Sequence, residues 1–230
     1  MSSLWLSGAS GGLGRAIAQL FVDKGFEVIG IDQLSCEAFP GRLVICDLTD
    51  YGQLKTKMQE FAVPDVLIHC AGITRDKVSW KMEPDLWKQV IDLNLNAGFY
   101  LSSLVASGMK NRQSGVIIHI SSINASRGKF GQSNYVASKA GLEGLVRNLA
   151  IELGAYGVRA NAVAPGLVET TMTQNLPQEV LIRAQNERLL PYPPTPHDVA
   201  ELCWFLASPQ ARCLTGQVFC VDSGQLLGGS

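Results

Sequence analysis

Short apolar runs alternate with amphipathic segments along the 230-residue chain. Seven runs are rich in Val, Ile and Leu and too short for buried helices, which is typical of strands covered on both faces. They occupy residues 4–6, 28–31, 43–46, 66–68, 116–120, 158–164 and 218–221. Segments of helical periodicity lie between them, at 12–24, 51–61, 84–110, 135–153 and 196–206. This alternation predicts an α/β fold, a doubly wound seven-stranded parallel sheet with helices on both faces.

The length of the chain favours a single domain. A chain of 230 residues can bury one large α/β core, whereas two full domains would each be small. The polar stretch from Thr170 to Arg188 carries weak strand signals and is followed by Pro191, Pro193 and Pro194. We therefore expect one domain over residues 1–230, with a flexible substrate flap at about 170–192.

Composition and charge exclude several classes of protein. Hydrophobic residues make up 47% of the chain and charged residues 17%, which argues against disorder. The net charge of −1 provides no broad basic surface for nucleic acid or anionic lipid. The chain has no secretory signal pattern and no run of eighteen apolar residues, so we expect a cytoplasmic protein that does not bind membranes. The six cysteines lack metal-site spacing, so we expect reduced core thiols and no metal.

A glycine-rich turn follows the first predicted strand. Gly8, Gly12 and Gly14 lie where the strand passes directly into a helix. Glycines allow a tight turn whose backbone amides can approach a pyrophosphate, and the start of the helix adds a favourable dipole. This context predicts a dinucleotide site, although a glycine-rich turn can also be only a turn.

Asp32, at the end of the second predicted strand, bears on the choice of cofactor. It lies 18 residues beyond Gly14, where a carboxylate can accept hydrogen bonds from an adenine-side ribose. The same carboxylate would repel a 2′-phosphate, and neither Ser10 nor Gln33 supplies a compensating cation. NAD(H) is therefore favoured over NADP(H).

Tyr135 and Lys139 form a candidate proton-transfer pair. A spacing of four residues on a helix places the phenol and the ammonium on one face. We expect the cation to lower the pKa of the phenol from its usual value of about 10, which would make Tyr135 an acid or base near neutral pH.

Taken in order, these residues resemble the short-chain dehydrogenase/reductase family over nearly the whole chain. The family's adenine-contacting Asp is matched by Asp47, its helix Asn by Asn94, and its Ser by Ser122, thirteen positions before Tyr135. The resemblance implies a Rossmann fold, a catalytic set of Asn94, Ser122, Tyr135 and Lys139, and assembly into homo-oligomers, either dimers or tetramers. The expected cofactor contacts are Gly8, Ser10, Gly11, Gly12, Leu13, Gly14, Asp32, Asp47, Leu48, Cys70, Ala71, Gly72, Tyr135, Lys139, Pro165, Gly166, Val168 and Thr170.

One motif departs from the family pattern. The family usually shows Asn-Asn-Ala-Gly after the fourth strand, whereas this chain has His69-Cys70-Ala71-Gly72. The groups that the asparagine amide would hydrogen-bond in the family are then left to backbone groups or to water. Because adjacent strand residues face opposite ways, we interpret His69 and Cys70 as packing substitutions and not as a metal pair.

Three readings of the function stay open. The segments around residues 71–76, 120–141 and 165–172 look most like 3-oxoacyl carrier-protein reductases and acetoacetyl-CoA reductases, which implies reduction of a 3-oxoacyl thioester on an acyl carrier protein or on coenzyme A. Arg127, Lys129 or Lys77 would then meet carrier or coenzyme phosphates, unless they are ordinary solvated charges. A second reading is an NAD-dependent dehydrogenase of a small secondary alcohol, cyclic diol or ketone. A third is a dinucleotide-binding regulatory module without catalysis, which the intact catalytic set disfavours.

Overall fold

The computed structural model describes residues 2–169, 173 and 176–228, and in this part of the chain all seven predicted strands are present in one parallel sheet. The strands are β1 (Ser3–Ser7), β2 (Glu27–Asp32), β3 (Arg42–Ile45), β4 (Val66–His69), β5 (Gly115–Ile120), β6 (Val158–Pro165) and β7 (Val218–Val221). The helices are α1 (Gly12–Asp23), α2 (Tyr51–Met58), α3 (Pro84–Ile91), α4 (Ala97–Arg112), α5 (Asn124–Arg127), α6 (Ser133–Leu153), α7 (Gln178–Asn186), α8 (Pro196–Ala207) and α9 (Gln225–Gly228). Short 3₁₀ turns occupy Ser79–Lys81, Gly154–Tyr156 and Pro209–Ala211.

The strand order is β3-β2-β1-β4-β5-β6-β7. On one side of β1 the chain adds β2 and then β3. It then crosses back, so that β4 pairs with the other side of β1 and the later strands follow beyond β4. The helices after β1 and β4 therefore leave in opposite directions, which opens a crevice at the carboxyl ends of these two strands. The doubly wound architecture predicted from the apolar pattern is confirmed.

Alternate residues of the strands supply two separate cores. On β1, Leu4 and Leu6 pack into the cluster that includes α1 and α8, whereas Trp5 packs into the cluster that includes α2, α4 and α6. This alternation follows from the two-residue period of a strand. Because both faces are covered, the central strands have few positions for solvated side chains, and each fully buried aliphatic side chain contributes about 1.5–3 kcal/mol.

The amino terminus of α8 is closed by a capping box formed by Thr195 and Asp198. Thr195 Oγ1 accepts a hydrogen bond from Asp198 N (3.2 Å), and Asp198 Oδ2 accepts one from Thr195 N (2.8 Å). Pro196 occupies the first helical turn, where its missing N–H removes no helical hydrogen bond. These contacts satisfy amides that the helix itself leaves unpaired.

The segment predicted as one helix over residues 84–110 is interrupted. A π-turn at Asp92–Asn96 lies between α3 and α4. Such turns are rare, occur mostly as single widened turns within α-helices, and are frequent at functional sites. This one carries Asn94, which is fully buried.

One expectation about the periphery, that of buried core thiols, is wrong for most of the cysteines, and a second, the flap, is only partly described. Only Cys46 and Cys203 are buried core thiols, while Cys213 and Cys220 are exposed. The expected flap at 170–192 lies partly outside the described residues; its described part contains α7, which the sequence pattern did not predict. None of the described helices is both long and apolar enough to cross a bilayer.

Candidate active site

The turn between β1 and α1 is closed by glycines at two points of backbone contact. Gly8 has a φ of +68°, and a Cβ there would lie 2.6 Å from Ala71 N at the end of β4. A Cβ on Gly14 would lie 2.1 Å from Gly8 O. The turn therefore depends on the absence of side chains, and it leaves the first amides of α1 facing the crevice.

Asp32 ties this turn to the end of β2. Its carboxylate accepts hydrogen bonds from Ser10 N and Leu34 N, both at 3.0 Å. Ser10 Oγ in turn donates to Leu34 O at 2.8 Å. The carboxylate thus caps a turn and also lines the crevice.

A cavity at the crevice brings together the twelve predicted cofactor residues from Gly8 to Gly72. Sequence reasoning missed five further residues that line it: Gln33, Leu34, Cys46, Ile73 and Leu93. Gln33 and Leu34 directly follow Asp32, so their position at the end of the predicted strand could have identified them as cavity residues. Leu93 belongs to the π-turn, for which the sequence pattern gave no signal.

Ser122 and Tyr135 meet near the carboxyl end of β5. The Ser122 side chain lies close enough to the Tyr135 phenol to lower its pKa, and Ser122 Oγ accepts a hydrogen bond from Asn124 N at 3.2 Å. Ser122 follows β5, while Tyr135 lies in the first turn of α6. Two neighbouring hydroxyls form a site that can hydrogen-bond one carbonyl oxygen.

Lys139 lies one turn along α6 from Tyr135 and is buried. Its Nζ donates to Ile120 O (2.7 Å) and lies 5.7 Å from the centroid of the Tyr135 ring. The ammonium also approaches Gly72, where a Cβ would be 3.3 Å from Nζ. The cation therefore lies between the end of β5 and the edge of the cavity.

The expected lowering of the Tyr135 pKa by Lys139 is wrong for this structure. Burial raises the pKa of Tyr135 above its ordinary value of 10.0, and the hydrogen bond with Ser122 only partly offsets this effect. Burial also lowers the pKa of Lys139 from 10.5 to about 8. The reason is that the ammonium is desolvated and directed at a carbonyl, while the phenol loses more hydration than the hydroxyl contact returns.

The Asn94 side chain clamps two elements together. Its Oδ1 accepts from Ile73 N (2.8 Å), and its Nδ2 donates to Ile73 O (3.0 Å) and to Ser138 Oγ (3.1 Å). Ser138 immediately precedes Lys139 on α6, and Ile73 lines the cavity. Asn94 thus fixes the cavity wall against the helix that carries Tyr135 and Lys139.

The segment after β6 lies beside Ser122, where Pro165 O accepts a hydrogen bond from Ile123 N, and it does not line the cavity. Gly166 N donates to Val221 O at 2.9 Å, and Leu167 N donates to Gln225 Oε1 at 3.0 Å. Pro165 ends β6, and Val168 packs into the core. Thr170, the last predicted cofactor contact, lies outside the described residues.

Arg127 is committed to an ion pair that the sequence pattern did not reveal. Its Nη1 lies 2.8 Å from Glu187 Oε2, with both side chains mostly buried. Burial raises the pKa of Glu187, but hydrogen bonds from Gln225 and two arginines outweigh it and bring the value to about 2. The pair pins the residue after α7 to α5, so Arg127 is not a free cation for a phosphate.

Comparison with known proteins fixes the family. A family model described as enoyl-(acyl carrier protein) reductase matches residues 8–225. The chain is 35% identical to the 3-oxoacyl-acyl-carrier-protein reductase of Thermotoga maritima, over 96% of each chain. The chain belongs to the short-chain dehydrogenase/reductase family. As a member of that family it is an oxidoreductase.

Other relatives differ in substrate. An acetoacetyl-CoA reductase of Shinella zoogloeoides is 42% identical over 70% of this chain and 67% of its own length. A 4-hydroxyisoleucine dehydrogenase complexed with NADH superposes with a TM-score of 0.92 at 30% identity, covering 98% of both chains. A 3-oxoacyl carrier-protein reductase with bound NAD from Brucella melitensis gives 0.88 at 31% identity, covering 97% of this chain and 90% of its own.

Proposed function

We propose that this protein is an NAD(H)-dependent oxidoreductase that reduces the 3-oxo group of an acyl thioester carried by an acyl carrier protein or by coenzyme A. The observation that carries the proposal is the proximity of the Ser122 and Tyr135 side chains, with Lys139 one helical turn away against the cavity wall. Relatives named as 3-oxoacyl and acetoacetyl-CoA reductases support the substrate class.

The cavity suits a dinucleotide. Gly8 and Gly14 leave no side chain over the start of α1, so backbone amides can cradle a pyrophosphate. Asp32 lines the same cavity and favours a free ribose 2′-hydroxyl over a phosphate. We assign the adenosine end to Asp32, Asp47 and Leu48, and the nicotinamide end to Lys139 and the segment after β6.

The residues of the chain supply the proton. A reduced nicotinamide supplies the hydride when it is bound. Tyr135 has a raised pKa, so its phenol is protonated at neutral pH and can donate to the carbonyl oxygen, which Ser122 also hydrogen-bonds. Lys139, with a pKa of about 8, exchanges protons close to neutrality and can restore the phenol. The protonated phenol is the form that reduction of a carbonyl requires.

The substrate enters, in this proposal, beside a flap formed by residues 170–192. The ion pair between Arg127 and Glu187 holds the residue that follows α7 against α5. In this proposal Lys129 or Lys77, and not Arg127, binds the phosphates of the carrier or of the coenzyme.

A second candidate is oxidation of a small secondary alcohol with NAD. It is favoured by Asp32 in the cavity and by the similarity to the 4-hydroxyisoleucine dehydrogenase. A panel of acetoacetyl-CoA against simple alcohols and cyclic diols, each with both cofactors, separates the candidates. Tight NADH binding without turnover on any substrate would favour a regulatory module instead.

Replacing Tyr135 by Phe tests the chemistry directly. Loss of the proton donor should lower kcat by about 10²–10⁴-fold, while the affinity for NADH stays close to that of the wild type. Steady-state kinetics with acetoacetyl-CoA and a fluorescence titration of NADH measure the two effects. Full activity in Tyr135→Phe would refute the assignment.

We also propose that the protein is a homo-oligomer. Phe99 on α4 and Ile151 on α6 are large apolar side chains that are 53% and 79% exposed, respectively. A second copy packed on these helices would cover them. Light scattering should give a mass of two or four chains, and a monomer at micromolar concentration would contradict the proposal.

A further inference from the structure

His69 is buried at the carboxyl end of β4, next to the site but outside its proposed chemistry. It is in register with Ser7 on β1, and the two side chains are hydrogen-bonded at 2.8 Å. Its other ring nitrogen, Nε2, lies 3.1 Å from the main-chain oxygen of Asn94 in the π-turn. The imidazole therefore bridges two strand ends and the turn that carries a predicted catalytic residue.

The partners of His69 fix its tautomer. The Asn94 carbonyl can only accept, so Nε2 carries the proton. Ser7 Oγ accepts from Cys70 N (3.2 Å) and Ala71 N (3.3 Å), which leaves its own proton for Nδ1 of His69. Burial, His119 and Lys139 all lower the pKa of His69, so the ring is neutral and keeps this one pattern of donors and acceptors.

The contact with Asn94 reaches the reacting groups in two steps. His69 fixes the Asn94 backbone, and the Asn94 side chain holds Ile73 in the cavity wall and Ser138 beside Lys139. A carbonyl inside an unperturbed helix normally serves the amide four residues on, so a side-chain donor there is a specific feature of this turn. The polar contacts thus run without interruption from the sheet to α6.

We propose that His69 is a positioning residue for the reaction: its Nε2–H holds the π-turn so that Asn94 sets the distance between Lys139 and the cavity wall. The inference rests on the proposed function and assigns a role to the one motif in which this chain departs from the family pattern. A general acid displaced by about 1 Å can cost 10²-fold in rate, so one hydrogen bond of this kind has a measurable effect.

The alternative explanation is that the His69 ring only packs in the protein core. Its ring meets that of His119 edge-on, with centroids 5.6 Å apart, and both lie against Gly98, where a Cβ would come within 3.0 Å of His69 and 3.2 Å of His119. His119 Nε2 hydrogen-bonds Ser102 Oγ on α4, and its Nδ1 has no hydrogen-bond partner among the described residues, so the ring makes no hydrogen bond with Asn94. It is therefore a matched control, because it shares the packing environment but not the contact with the π-turn.

Three substitutions at His69 separate the accounts. Gln can place an amide near the position of Nε2 and reach Asn94, whereas Asn reaches only the level of Nδ1 and Ser7. Leu removes both hydrogen bonds. The positioning role predicts that kcat on acetoacetyl-CoA falls about 10- to 100-fold in His69→Leu and His69→Asn, with little change in KM, and stays within about threefold in His69→Gln.

The control and a second readout complete the test. His119→Leu should lower the melting temperature with little change in kcat. Affinity for NADH, measured by fluorescence on the full chain, should fall several-fold in His69→Leu and His69→Asn but not in His69→Gln, because Lys139 and the cavity wall move apart. This measurement needs no turnover.

The outcomes distinguish the inference from the proposed function. If the wild type reduces no thioester but NADH affinity follows the Gln-versus-Asn pattern, the substrate assignment fails and the role of His69 stands. Equal effects of His69→Gln and His69→Asn on kcat and NADH affinity overturn the inference, as does an equal loss of kcat in His119→Leu. If His69→Leu does not fold, the two amide variants decide alone.

Discussion

Burial controls the protonation of the two groups at the centre of the site. It raises the pKa of Tyr135 and lowers that of Lys139 to about 8. The sequence indicated that these two residues lie one turn apart on a helix, because their spacing on α6 is visible in the chain. It gave the wrong direction for the Tyr135 pKa, because desolvation depends on the strands and turns that surround the phenol, which a single sequence does not specify.

The Lys139 pKa leads to a prediction for the pH dependence of reduction. The ratio kcat/KM reports groups of the free enzyme, so it should be constant below about pH 7 and fall as pH rises through about 8, when the ammonium loses its proton. Above that point the expected slope is about tenfold per pH unit. Initial rates with acetoacetyl-CoA between pH 5.5 and 10 measure it. In Lys139→Arg, whose cation keeps its charge, the residual activity should no longer fall above pH 8. A flat wild-type profile up to pH 10 would contradict the prediction.

At the scale of elements, the turn between β1 and α1 has almost no free space. Gly14→Ala would place a Cβ 2.1 Å from Gly8 O, so the turn must open. We expect a loss of about 1–3 kcal/mol in the free energy of unfolding, together with weaker NADH binding. Urea unfolding and an NADH titration measure the two effects.

Gly11→Ala is the matched control for this turn. Gly11 has a φ of −75°, and a Cβ there would lie 3.4 Å from Gly8 O, so alanine is nearly compatible. Its effect on unfolding should be much smaller than that of Gly14→Ala. Similar losses in both variants would show that the close contact at Gly14 is not what limits the turn.

The elements predicted from the sequence are those whose signal is local. Buried strands show as apolar runs, and the start of α8 shows as Thr195 followed by Pro196. The π-turn escaped prediction because Asn94 and His69, whose contact accompanies it, are 25 residues apart. The ion pair between Arg127 and Glu187 escaped for the same reason, since 60 residues separate the partners.

At the scale of the whole molecule, two buried histidines make stability depend on pH. Burial lowers the pKa of His119 to about 3 and that of His69 well below 6.5. The unfolded chain takes up these protons from about pH 6.5 downward, while the folded protein does not. The stability that the neutral rings contribute is therefore fully present above pH 6.5 and is lost as pH falls toward their folded pKa values.

Urea unfolding between pH 7 and 4.5 tests this effect. Each histidine should remove about 1.4 kcal/mol of unfolding free energy per pH unit below 6.5. Replacing His119 with Phe should reduce the slope to that of one histidine. An unchanged slope in this variant would show that other groups cause the acid sensitivity.

The π-turn at Asp92–Asn96 also constrains which insertions and deletions this chain can tolerate. Each residue of an α-helix turns the chain by about 100°. Deleting one residue from the widened turn would convert it to an ordinary α-turn, because the widening is what accommodates the extra residue, so the helix beyond it would keep its rotation. Leu101, Val105 and Met109 would still face the sheet, whereas a deletion within α4 would rotate the residues beyond it by roughly that angle. A one-residue deletion should therefore be accepted more readily at the turn than within α4, although Asn94 would lose its present contacts.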